Sequence, residues 1–187
     1  MASAQPIRIV GFSGSQGASS RTRALVDLAA ARAAARFGAS AATYDLADLQ
    51  PSLGGAQHLK DLAPLPRAIV QSLMGADALI IGVPVYKGSY PGLFKHLFDL
   101  IDPAALTGKP ILLTATGGGE KHALVIEHQL RPLFGCFEAA SLPTGVYASA
   151  GDFSDGLLAS AAVHERLERA VSQFSQGLHR PPVAAAA

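Results

Sequence analysis

Of the 187 residues one is cysteine, none is tryptophan, and only 16% are charged. The lone Cys136 excludes an internal disulfide and any cysteine-rich metal site, and it agrees with a reducing cytoplasm. The six histidines (His58, His96, His122, His128, His164 and His179) are scattered in no metal-ligand spacing, so no metal is expected. Lysine and arginine number 15 against 14 acidic residues, with no basic block, which argues against nucleic acid or an anionic membrane as partner. No apolar run approaches the ~20 residues that cross a bilayer. The opening "MASAQPIRIV" lacks the apolar core of a signal peptide, so a cytoplasmic protein is expected. What is present is a 49% hydrophobic, alanine-rich composition, long enough for one domain with a sizeable core.

Strand and helix patterns alternate along the chain. "IRIVGF" (7–12) reads as a buried strand, followed by a helix over 21–37 that Gly38 stops. "SAATYDL" is a weaker second strand, and 47–63 is irregular. Pro64 and Pro66 open a short helix ending at Gly75. "DALIIGVPVY" is the most apolar strand and is placed at the centre of the sheet. A helix over 91–101, a strand "KPILLTAT" and a helix over 120–134 follow. A fifth strand over 137–148 is broken near Pro143, and a closing helix covers 155–178. Five strands separated by helices imply an α/β fold: a doubly wound parallel sheet with helices on both faces. Such sheets bind ligands at the carboxyl ends of their strands, near the topological switch point.

The loops expected there are "SGSQGASSRT", "PVYKGSYPG" and "ATGGGEKH", all rich in Gly, Ser and Thr. The first is not a P-loop, because the Gly-Lys-Ser/Thr ending is missing. Gly11, Gly14 and Gly17 miss the dinucleotide spacing, and Asp45 is the nearest acidic residue to a ribose-binding position. Ser15 stands where a nucleophile elbow needs its last glycine. What remains is a hydroxyl-lined loop capping a helix, where Ser15, Ser20 and Thr22 can donate to an anion aided by the helix dipole. With no lysine in the loop and no metal ligand, a terminal monophosphate fits better than a triphosphate. In the second loop Pro84, Val85 and Tyr86 offer a platform for a flat aromatic ligand, and Lys87 is either solvated or a contact to an anionic substrate. Gly117, Gly118 and Gly119 let a ligand approach the main chain, and their amides suit a ring that gains negative charge on reduction.

Together "GSQGASSRT", "PVYKGSYPGLFKHLFDLI" and "ATGGGEKHALVIEHQLRPLF" resemble the NAD(P)H-dependent FMN reductases of flavodoxin-like fold. More narrowly, they resemble the reductase components of two-component alkanesulfonate and methanesulfonate monooxygenases. The resemblance covers roughly residues 7–175. It implies a single flavodoxin-like FMN-binding domain over 1–187, frayed over 178–187, using FMN as substrate or loosely bound cofactor with NADH or NADPH as donor. It also implies a partner monooxygenase and a homodimer or homotetramer. Carried over by position, Ser15, Ser20 and Thr22 would bind the FMN phosphate, with Gln16 beside them in the cofactor site. Pro84, Val85, Tyr86 and Lys87, with Thr116, Gly117, Gly118 and Gly119, would line the ring. Many relatives carry an arginine where this chain has Gly17, which predicts weaker phosphate binding. The alternatives are a quinone or azo-dye reductase that retains FMN, and a flavodoxin-like electron carrier. The +1 charge and the absence of Trp argue against the carrier.

Pro132 cannot donate to the carbonyl of His128, which predicts a kink or a π-type bulge there. Alkanesulfonate reductases have a Tyr in a π-helix at this place. His128 is therefore a candidate tuning residue or an interface residue, and no catalytic side chain is assigned. Lys95–Asp99 and Glu127–Arg131 read as helical i,i+4 pairs, and Cys136 as a small buried residue. The helix over 91–101 has apolar residues on more than one face, which suggests a partner subunit.

Overall fold

The structure is a computed structural model that describes residues 6–17 and 19–178. Strands β1 (Arg8–Ser13), β2 (Ser40–Asp45), β3 (Ala78–Pro84) and β4 (Pro110–Gly117) lie in the spatial order β2-β1-β3-β4, all parallel. The fifth position is shared by β5 (Ala140–Ser141) and β6 (Val146–Ser149), which both pair with β4 on either side of Pro143. From β1 the chain winds outward to β2 and then back across to β3. The β1–β3 boundary is therefore the switch point, and the loops leaving β1 and β3 part there. This is the flavodoxin-like doubly wound sheet.

All seven residues of β3 are buried, because helices cover both faces of the sheet. Leu79, Ile81 and Val83 pack toward Phe94, Phe98 and Phe134. Ala78 and Ile80 alternate to the other side, against Leu25, Val26 and Ala29 of α1 (Arg21–Phe37) and Leu167 and Val171 of α5 (Ala161–Ser172). Each buried Leu, Ile, Val or Phe among these contributes roughly 1.5–3 kcal/mol, which holds the strand ends in fixed register beneath the loops. Helices α2 (Pro64–Met74) and α3 (Gly92–Asp99) cover the first face. Between α2 and the end of β2 the irregular segment resolves into three 3₁₀ turns.

The helix expected over 155–178 is shorter. Asp155 and Gly156 take φ of 51° and 81°, the twist of a two-residue hairpin turn, and join β7 (Phe153–Ser154) to β8 (Leu157–Leu158). Ser160 then caps α5, its side chain accepting from the N–H of Val163. Leu178 is not frayed: its N–H donates to the Phe174 carbonyl at 2.9 Å and its side chain packs on the α1–α5 core. The rest of the expected tail, 179–187, lies outside the described residues. The helical stretch expected over 120–134 divides into a 3₁₀ turn (Glu120–His122), a π-helix (Ile126–Leu130) and α4 (Arg131–Gly135). Of the kink or π-type bulge expected from the missing N–H of Pro132, the structure has the π-turn, which spans His128.

Two surface expectations change. Cys136 is exposed, because it sits in the turn that leaves α4, past the buried Leu133 and Phe134. Phe94, Leu97, Phe98 and Ile101 are taken up by the core, so the surplus apolar face of α3 shrinks to the half-buried Leu93 and Leu100.

Candidate functional site

Three loops at the carboxyl ends of β1, β3 and β4 converge on one cleft of about 430 Å³. That volume lies in the range of roughly 300–1,000 Å³ typical of small-molecule sites. Ten of the expected residues line it: Ser15, Gln16, Ser20, Thr22, Pro84, Val85, Tyr86, Thr116, Gly117 and Gly118. Lys87 and Gly119 do not.

The first loop is held from below. The N–H of Gly14 donates to the carbonyl of Gly82 at 2.7 Å, tying the loop to β3. Ser15 is buried and its hydroxyl is 2.8 Å from that of Ser13. Ser20 is the N-cap of α1, its Oγ accepting from the N–H of Arg23 at 3.3 Å, which leaves its own proton free to donate outward. Thr22 is buried, and its hydroxyl meets that of Thr116 at 2.6 Å, joining the first and third loops. A hydroxyl pair holds one proton in the bond between its members, so the two threonines have one proton left between them for a ligand.

Arg21 also lines the cleft, and the sequence reading missed it. Among the described lining residues it is the charged one, and no carboxylate stands beside it. Its guanidinium lies 6.0 Å from the ring centroid of Phe153 on the β7–β8 hairpin. Arg23, two residues on, is directed away into Asp27 at 2.9 Å and Asp45 at 3.1 Å. A signal for Arg21 was present. The first turn of α1 has two arginines and no acidic residue, against the preference of a helix dipole. A local rule broken in this way points to a functional site, and two cations at a helix N-terminus suit an anion. Arg21 thus supplies a cation at the end of the cleft where Gly17 leaves none. Asp45, paired with Arg23 and accepting from the N–H of Ala47 at 2.8 Å, is structural.

The second loop is a tight turn. The N–H of Tyr86 donates to the Ser89 carbonyl at 2.8 Å and that of Ser89 returns to Tyr86 at 3.1 Å. Lys87 and Gly88 occupy its tip at φ of 52° and 84°, which carries Lys87 away from the cleft. Tyr86 stays 60% exposed at the cleft wall. The N–H of Val85 donates to the Thr116 carbonyl at 2.8 Å and locks the second loop to the third.

Tyr147 shapes the third loop and was not legible in the sequence. It stands on β6, and its hydroxyl donates to the carbonyl of Gly119 at 2.5 Å. A Cβ on Gly117 would overlap that hydroxyl, so this position needs glycine. Burial pushes the Tyr147 phenol above its ordinary value. Gly118 lines the cleft, and a Cβ there would meet no protein atom within 4 Å, which leaves its backbone open to a ligand.

His128 is exposed on the π-helix, apart from the lining residues. Among the described residues no group of three His, Cys, Asp or Glu side chains could hold a metal, and no helix is long and apolar enough to cross a membrane.

The donor set fits FMN: hydroxyls and a cation at the end formed by the first loop, open glycine backbone and an aromatic at the other. Comparison with known proteins agrees. A family model for NADPH-dependent FMN reductase matches residues 7–154. The NADH-dependent FMN reductase SfnF of Pseudomonas fluorescens (strain Pf0-1) is 43% identical over 183 residues, covering 96% of this chain and 97% of that protein. An FMN reductase (NADPH) of Pseudomonas aeruginosa is 43% identical over 169 residues, covering 90% of each. Among solved structures, the apo form of the NADH:FMN oxidoreductase EMOB superposes with a TM-score of 0.80 at 30% identity, covering 94% of this chain and 92% of that one. With the family model spanning most of the fold and these relatives matching nearly end to end, the chain belongs to the NADPH-dependent FMN reductase family.

Proposed function

We propose that this chain is an NAD(P)H:FMN oxidoreductase that takes FMN as a substrate or loosely held cofactor. It then releases reduced FMN to a flavin-dependent sulfonate monooxygenase. The observation that carries this reading is the convergence of the three loops on one cleft, with its hydroxyls and its cation at one end. FMN supplies the ring that accepts hydride from the nicotinamide. The residues of the chain bind and orient. Ser20, Arg21 and the first turn of α1 hold the phosphate. Pro84, Val85 and Tyr86 support the ring, and the backbone at Gly117 and Gly118 faces the edge where charge develops. Stacking two rings in register needs no side-chain acid or nucleophile.

Loose holding is supported by the absence of Trp and by Tyr86 as the aromatic residue among those lining the cleft. The chain is read as one FMN-binding domain in a reducing cytoplasm, where the exposed Cys136 stays a thiol. It is also read as a homodimer or homotetramer, supported by Leu124, which is 62% exposed next to the π-helix. His128 on that helix is proposed to tune flavin retention rather than hydride transfer.

The test is to purify the protein, measure bound flavin, and follow NADH and NADPH oxidation with FMN, FAD and riboflavin. A nearly colourless protein that turns over added FMN is expected, with His128→Ala changing flavin retention or sedimentation more than single-turnover hydride transfer. Stoichiometric FMN surviving gel filtration would favour a reductase that keeps its flavin. Failure to oxidise either nicotinamide would refute the assignment.

A further inference from the structure

The ring-facing turn and the π-helix are joined by a side-chain bond that the reaction itself does not call for. The hydroxyl of Ser89 donates to Oε1 of Gln129 at 3.1 Å, with both residues half-buried. Ser89 is the closing residue of the turn that begins at Tyr86. That turn has its other anchor in the bond from Val85 to Thr116. The two anchors lie on opposite ends of the turn, so together they fix its tilt as well as its position.

Gln129 is held in place by the π-helix. Successive residues of an α-helix are rotated by about 100°, so the extra residue of a π-turn decides which side chain meets the neighbouring loop. Glu127 on the same segment is occupied by Arg131 at 2.7 Å, and the His128 side chain is exposed. Gln129 accepts a side-chain hydrogen bond from the turn.

We propose that Gln129 is a positioning residue: through Ser89 it holds the Tyr86 turn at the ring end of the cleft, so that the register of the π-helix sets the placement of Tyr86. This rests on the proposed flavin site and deepens it. One prediction is specific to a ring contact. Loss of the bond should weaken FMN and riboflavin alike, since the phosphate is assigned to the first loop and the start of α1, away from this turn.

The experiment uses flavin titration by fluorescence on the full chain, with steady-state kinetics alongside. Gln129→Leu and Ser89→Ala should each raise the dissociation constants of FMN and riboflavin by the same factor, about three- to tenfold. The apparent KM for FMN should rise with them while kcat changes less. Gln129→Glu keeps an acceptor for the Ser89 hydroxyl and should restore wild-type binding. The double variant Gln129→Leu/Ser89→Ala should bind no more weakly than the weaker single variant, because both remove one bond. If Gln129→Leu fails to fold, Ser89→Ala with its riboflavin titration tests the same bond. The proposal is overturned if either single variant binds riboflavin as the wild type does, if Gln129→Glu fails to restore binding, or if the two effects multiply. Wild-type protein that binds both flavins but does not oxidise NAD(P)H would refute the reductase reading and leave this coupling testable by titration.

Discussion

Ser20 offers a way to separate phosphate recognition from folding. Its oxygen accepts from the N–H of Arg23 at 3.3 Å and its own proton is left free to donate, and Ser20 lines the cleft, so one hydroxyl can serve α1 and the ligand. Ser20→Ala confounds the two, since losing an N-cap costs about 1 kcal/mol and a shift of roughly 2–4 °C in Tm for a chain of this size. Thr22→Ala is worse, because it deprives the buried Thr116 hydroxyl of its 2.6 Å partner. Ser20→Gly is the cleaner change: glycine at an N-cap costs only a few tenths of a kcal/mol. The lost donor to a charged phosphate is worth about 1.5–3 kcal/mol, or roughly 10- to 150-fold in affinity. FMN should therefore bind Ser20→Gly tens of times more weakly, riboflavin should bind as before, and Tm should move by a degree or so. Flavin-fluorescence titration with both ligands and a circular-dichroism melt read all three quantities. Equal weakening of FMN and riboflavin, or unchanged FMN binding, would refute the placement of the phosphate at the start of α1.

The third loop supports two more expectations. Gly117→Ala drives a Cβ into the Tyr147 hydroxyl, an overpacking that costs about 1–3 kcal/mol and should depress flavin binding; Tyr147→Phe in the same chain should recover part of the loss, and no recovery would exclude that clash as the cause. Burial raises the Tyr147 pKa, so the neutral phenol is favoured in the folded state. Its contribution to stability is then complete below the ordinary phenol value near pH 10 and is lost as pH rises through the higher folded value. A spectrophotometric titration compared with that of Tyr147→Phe, in which the phenol lost with the substitution ionises below pH 10, would contradict this.

Local physics made much of the molecule legible. Ser20 and Gly38 bracket α1 at the residues expected, because a cap and a stop act within one turn of the backbone. The unbroken apolar run of β3 placed it at the centre, since only a strand covered on both faces can be apolar throughout. Pro132 announced the π-turn at His128 because the missing N–H is a covalent fact. The helix expected from 155 begins only at Ala161, because Asp155 and Gly156 take the positive φ of a hairpin turn, for which an Asp-Gly pair is suited. Tertiary structure alone decided the rest. Thr22 meets Thr116 across 94 positions, and Tyr147 reaches back 28 to Gly119. Arg21 and Arg23 look alike in the sequence and part ways only because Asp27 and Asp45 draw the second one inward. The apolar face of α3, which looked free for a partner, is mostly consumed by the chain's own core. Each of these depends on which distant side chain arrives at a given spot. A sequence pattern records what a residue can do with its near neighbours, whereas close packing across the sheet decides which of those options is used.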